Sequence, residues 1–120
     1  GAIIVINNRI VARAHNQVEL LNDSTAHAEI LAITTAFNFL NSKYLPEATL
    51  YVTLEPCLMC SGALYWSKIG RSVYGAADDR NGYRTCCGSN NPFHPKTVLQ
   101  GGISEIECAK LMKDFFKARR

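Results

Sequence analysis

Apolar residues come first as two short strand-like runs, then at helical spacing, and the two patterns alternate along most of the chain. Residues 2–6 and 9–14 are rich in Ile, Val and Ala, and Asn7-Asn8 between them tolerates positive φ, which predicts a tight antiparallel hairpin. From His15 to Asp23 the pattern turns polar around Val18 and Leu20-Leu21, and Asn22-Asp23-Ser24-Thr25 offers several caps for a helix from about residue 26 to about residue 40. Ile30, Leu31, Ile33, Ala36, Phe37, Phe39 and Leu40 cover most of its circumference, which predicts burial between a sheet and other elements. Ala48 to Leu54 reads as a third strand, stopped by Glu55-Pro56. Proline suits a helix start, so Cys57 to about Lys68 reads as a second helix.

Arg71 to Ala76 predicts a fourth strand, residues 77–95 an irregular stretch long enough to be functional or mobile, and Thr97 to Leu99 a short fifth strand. Gly101-Gly102 turns the chain, and Ser104 with Glu107 three residues on predicts a capping box opening a last helix, whose apolar stripe is Cys108, Leu111, Met112 and Phe115. Strands alternating with helices predict one α/β domain over residues 1–120, with no internal repeat or linker.

Composition narrows the setting. A chain of 120 residues with 48% hydrophobic content can bury a moderate core without cross-links, and its apolar runs are far too short to span a bilayer. No secretory leader is visible, and the chain opens without Met directly into a strand-like run, which suggests a trimmed beginning. Five cysteines, two of them in Cys-x-x-Cys, favour thiols kept reduced for metal over a disulfide framework, and so a cytoplasmic home. The net charge of +3 permits an RNA partner without demanding one.

The chemistry lies in two segments. Ala26-His27-Ala28-Glu29 supplies an imidazole and a carboxylate, and Thr53-Leu54-Glu55-Pro56-Cys57-Leu58-Met59-Cys60 supplies two thiols. At i, i+3 spacing Cys57 and Cys60 share one helical face, where the positive end of the helix dipole favours thiolates. His27 and Glu29 are two residues apart, roughly 200° around a regular helix, so they can serve one site only at its open end. His27, Cys57 and Cys60 suit Zn2+ with its fourth position left for water, and Glu29 is then free to move protons. The reaction class that uses these parts is hydrolytic deamination, with zinc-bound hydroxide as nucleophile and Glu29 as proton shuttle.

At these residues the chain resembles the bacterial tRNA adenosine deaminases, zinc enzymes of the cytidine-deaminase superfamily that convert adenosine to inosine at the tRNA wobble position. The resemblance extends beyond His-x-Glu and Pro-Cys-x-x-Cys to Asn16, to residues 23–30 and 48–63, to Ile69 through Asp78, and to Glu107-Cys108-Ala109 and Asp114-Phe115-Phe116. It implies a three-layer α/β/α sandwich with a five-stranded mixed sheet. It further implies His27, Cys57 and Cys60 as zinc ligands, Glu29 as the proton carrier, and Asn16, Ala28 (through its N–H) and Asp78 as contacts to nucleotides of the tRNA anticodon loop. A homodimer whose tRNA site draws on both subunits is implied as well. Three features depart from the family pattern. The helix that precedes the first strand is absent, Ser24 stands where Pro is frequent, and Tyr65-Trp66 is similar to bacterial guanine deaminases.

Two other readings compete. Tyr65-Trp66 suits a deaminase of a free base, guanine or cytosine. A non-catalytic domain stapled by zinc would need a fourth ligand from Cys86, Cys87 or Cys108, but Cys108 falls on an apolar stripe and Cys86 and Cys87 read as loop thiols. His94 reads as an exposed loop residue outside the site, and Lys113, Lys117, Arg119 and Arg120 complement a C-terminal helix dipole as well as they suit phosphate.

Overall fold

Strands β1 (Ala2–Ile6) and β2 (Arg9–Ala14) form the expected hairpin, and Asn7 and Asn8 both take positive φ, 50° and 62°, as its tight turn requires. The structure is a computed structural model that describes residues 1–107 and 109–110. A register shift between Ile4 and Val5 bends the hairpin, and β1 then pairs antiparallel with β3 (Thr49–Leu54). Next come β4 (Arg71–Ala76) and β5 (Val98–Gln100), both parallel to β3, which gives a five-stranded mixed sheet in the order β2-β1-β3-β4-β5. Among the described residues β2 and β5 are therefore the edges. β2 carries exposed Arg9 and Arg13, and β5 is only three residues long.

One face of the sheet is covered by α2 (Ala28–Leu40) and α3 (Leu58–Ser67). Ile4 and Leu50, opposite each other on β1 and β3, are fully buried against Ala32, Ala36 and Leu64, and the small side chains of α2 let it lie close to the strands. α2 begins two residues later than its pattern suggested. Its cap is His27, in extended backbone conformation, while Asp23 folds back to accept hydrogen bonds from the Thr25 amide and hydroxyl. The burial of α2 is also narrower than expected: Ala28, Glu29, Ala32, Ile33 and Ala36 form its buried stripe, whereas Phe39 and Leu40 are exposed.

Two short helices went unmarked by periodicity, α1 (Val18–Leu21) and α4 (Tyr83–Cys87). α4 sits in the stretch expected to be irregular. That stretch is anchored by buried Tyr83 and Phe93, whose rings meet edge to face at 5.0 Å, with Tyr74 of β4 at 6.2 Å from Tyr83. After β5, Ile103 donates its amide to the Tyr74 carbonyl, and residues 105–107 and 109–110 are helical. Ser104, expected to cap this helix, has φ 52°, not the extended conformation of a capping box. Cys108 and the rest of the expected stripe, Leu111, Met112 and Phe115, lie outside the described residues. Among the described residues no helix is long and apolar enough to cross a membrane.

Candidate metal centre and substrate cavity

β3 and β4 are parallel neighbours, so the chain must cross over between them, and α3 makes that crossing. The turn from β3 into α3, Glu55-Pro56-Cys57, consequently lies at the carboxyl end of the strands, where open α/β sheets leave a crevice. Cys57 is the cap of α3. Its backbone is extended (φ −73°, ψ 173°) and its Sγ accepts the Cys60 amide at 3.5 Å, the role a serine oxygen plays at an ordinary helix start.

His27 holds the same station on α2, with φ −73° and ψ 151°. Being a cap, it is not bound to helical side-chain directions, which removes the conflict with Glu29 two residues on. The Nδ1 of His27 lies 3.6 Å from Cys57 Sγ, and the ligand atoms of His27, Cys57 and Cys60 all fall within 4.8 Å of one another. One imidazole and two thiols in this arrangement fit Zn2+, which takes His and Cys ligands and, in catalytic sites, keeps a position for a non-protein ligand. Among the described residues this is the one such cluster of metal-ligating groups, and neither Cys86 nor Cys87 belongs to it.

Glu29, 8% exposed, lies in the first turn of α2 next to this group. Burial holds its carboxyl above the ordinary range, and the neighbouring Cys57 adds to that. The two thiols, left to themselves, share a proton unequally. The hydrogen bond from the Cys60 thiol, helped by the Cys60 amide, pulls Cys57 down to about 5, while donating that bond, burial and the Glu29 carboxylate push Cys60 up. A metal ion would ionise both.

Above the cluster opens a cavity of about 550 Å3. His27, Glu29 and Cys57 line it, and so do Asn16, Ala28 and Asp78, the three residues expected to hold substrate. Asn16 is set by α1, where its Oδ1 accepts the Val18 amide at 3.0 Å. The Oδ1 of Asp78 accepts the amides of Arg80 and Asn81 at 3.1 and 3.0 Å, an Asx turn that fixes the carboxylate at the cavity wall. His94 stands apart, its ring 5.7 Å from Tyr65.

The sequence comparisons agree with this geometry. The chain matches the MafB19-like deaminase family over residues 1–120. A tRNA-specific adenosine deaminase of Aquifex aeolicus is 55% identical over 122 residues, an alignment that takes in all of this chain and 81% of that protein. The chain belongs to the tRNA-specific adenosine deaminase family. Its fold matches a structure from a study of A-to-I editing by tRNA:A34 deaminases at the wobble position, with a TM-score of 0.83 and 39% identity over 92% of this chain and 82% of that one. It also matches the guanine deaminase of Bacillus subtilis, with a TM-score of 0.63 and 36% identity over 75% of this chain and 54% of that one.

Two features of this family member escaped sequence reasoning. Cys86, read as a loop thiol, lines the cavity. Glu55, read as a strand stop, is 3% exposed and accepts hydrogen bonds from residues 78 and 84. Its one sequence signal was a carboxylate next to the Pro of a metal-ligand turn, a place where an unpaired charge would be costly.

Proposed function

We propose that this chain hydrolytically deaminates adenosine at the wobble position of a tRNA, releasing ammonia and leaving inosine. The observation that carries the reading is a His27-Cys57-Cys60 cluster with ligand atoms within 4.8 Å of one another, flanked by buried Glu29 and opening on a cavity lined by Asn16, Ala28 and Asp78. Family membership supplies the substrate class. His27, Cys57 and Cys60 would hold zinc, which when bound supplies the Lewis acidity that makes water nucleophilic at neutral pH. Glu29 would take one proton from the attacking water and pass it to a ring nitrogen of the base, then carry the second, from the newly added hydroxyl, to the departing amine. Its raised pKa brings it nearer the working pH, where a carboxyl can both accept and give.

Asn16 and the Ala28 amide orient the flipped-out nucleoside, and Asp78 meets a neighbouring anticodon-loop nucleotide. The exposed apolar residues Leu58, Met59 and Trp66 on α3 suit contact with a second copy of the chain, and a homodimer completes the RNA surface. Reduced thiols and a tRNA substrate fit the cytoplasm. The test is to incubate zinc-loaded protein with unmodified tRNA carrying adenosine at the wobble position and to sequence for inosine. Its absence there would sink the proposal.

One observation favours a second reading, a free-base deaminase: the likeness to the Bacillus subtilis guanine deaminase. Tyr65 and Trp66, which suggested it from sequence, are not among the residues lining the cavity. Ammonia released from guanine or cytosine without RNA would support this alternative. A zinc-stapled domain without catalysis would leave buried Glu29 unexplained, and replacing Glu29 would then change nothing measurable in deamination.

A further inference from the structure

Residues 78–87 carry Asp78 and Asn81 to the cavity, and besides the buried Tyr83 ring one side chain of the β3–α3 turn holds them. Glu55, whose side chain is almost wholly buried, accepts four hydrogen bonds from this stretch. Oε1 takes the Asp78 amide at 3.2 Å and the Arg84 guanidinium through Nε at 3.3 Å and Nη2 at 3.0 Å, and Oε2 takes the Arg84 amide at 2.9 Å. Gly82 packs so closely on this carboxylate that a Cβ there would overlap it. The Arg84 guanidinium also lies over the Tyr74 ring, 5.7 Å from its centroid.

The other end of the clamp is the metal centre. Glu55 is separated from Cys57 by Pro56 alone, and the backbone continues the connection: the Pro56 carbonyl accepts the Tyr83 amide at 2.9 Å, and Cys57 and Gly82 form an isolated β-bridge. One turn of chain therefore carries a metal ligand and, two residues before it, the carboxylate that grips the loop bearing Asp78.

We propose that Glu55 and Arg84 are positioning residues for substrate binding, an ion pair between a buried carboxylate and a half-exposed guanidinium that registers the Asp78 loop against the metal centre. This rests on the reading of the cavity as the nucleotide site. Neither member hydrogen-bonds His27, Cys57, Cys60 or Glu29 among the described residues, so loss of the pair should weaken the hold on RNA while leaving the chemical step intact. A backbone bridge without the ion pair would leave the loop tethered but out of register.

The experiment compares wild-type protein with Arg84→Met and Arg84→Lys, each checked for zinc content and thermal melting, using tRNA as substrate and amide hydrogen exchange as a second readout. For Arg84→Met we expect KM to rise about tenfold or more with kcat within about twofold, the pattern of lost binding with chemistry preserved. Exchange at the Asp78 and Arg84 amides should quicken in the same variant. Arg84→Lys keeps the charge but not the two-pronged geometry, and should fall between the two. Unchanged KM and unchanged exchange in Arg84→Met would overturn the proposal, as would a loss confined to kcat. If Arg84→Met does not fold, Arg84→Lys decides by the same two readouts. If wild-type protein makes no inosine, the functional reading fails, and amide exchange alone then decides whether the clamp orders the loop.

Discussion

His27 and Cys57 each cap a helix, and across thirty residues of chain their ligand atoms meet at 3.6 Å. Cys57 thus has a capping duty and a proposed metal-binding one, and substitution can separate them. Cys57→Ala removes a helix cap and, on the proposed reading, a zinc ligand, so the chelated protein should lose about 1 kcal/mol. Cys57→Ser restores an oxygen cap, so its chelated stability should return close to wild type, while zinc affinity stays down by more than about 100-fold, beyond what outer-sphere changes cost. Urea melts with chelator and zinc competition titrations would check both; a Ser variant no more stable than Ala would refute the capping role.

Glu29 should show its buried setting in pH dependence. Its folded pKa is raised above the unfolded value, so the stability it contributes is complete below the ordinary carboxylate range and is lost as pH rises through the folded pKa. In chelated protein, the stability difference between Glu29→Gln and wild type should therefore grow in favour of Gln from about pH 4 to pH 7. Zinc-loaded Glu29→Gln should lose about 10²- to 10⁴-fold in deamination rate. A flat difference across that range would show that the carboxylate is well solvated.

The two thiols should differ sharply in reactivity. With Cys57 drawn down to about 5 and Cys60 pushed up and fully buried, iodoacetamide at pH 6 should label Cys57 well ahead of Cys60 in chelated protein. Added zinc should protect both. Peptide mass spectrometry reads the order, with exposed Cys86 as the internal standard; Cys60 labelled first would contradict the arrangement.

Ser72 lies on β4 opposite Leu50, wholly buried, and its hydroxyl has no hydrogen-bond partner among the described residues. A buried unpaired hydroxyl costs about 1–3 kcal/mol, so Ser72→Ala should leave stability unchanged or raise it by up to about 1 kcal/mol. A melting temperature several degrees lower would show that the hydroxyl has a partner.

Much of this was legible in the residues. Ile and Val runs around Asn7-Asn8 spelled out the hairpin because turn chemistry is local, and the Cys57/Cys60 spacing gave a shared face because helical geometry is regular. The start of α2 was misplaced because four polar residues all looked like caps, while the residue at the cap position, His27, makes no side-chain cap bond and is a type seldom chosen for that place. α1 and α4 were missed because a single turn is too short to display a period. Glu55 was illegible for a different reason: its partners are amides and a guanidinium 23 and 29 residues away, and no local pattern marks a backbone N–H as a partner.

The two edges of the sheet constrain assembly. A growing β-stack needs a long, uncharged border strand, and among the described residues one border is a three-residue strand and the other presents Arg9 and Arg13. Strand-by-strand addition of copies, the route to fibres, is thereby disfavoured at both of these borders.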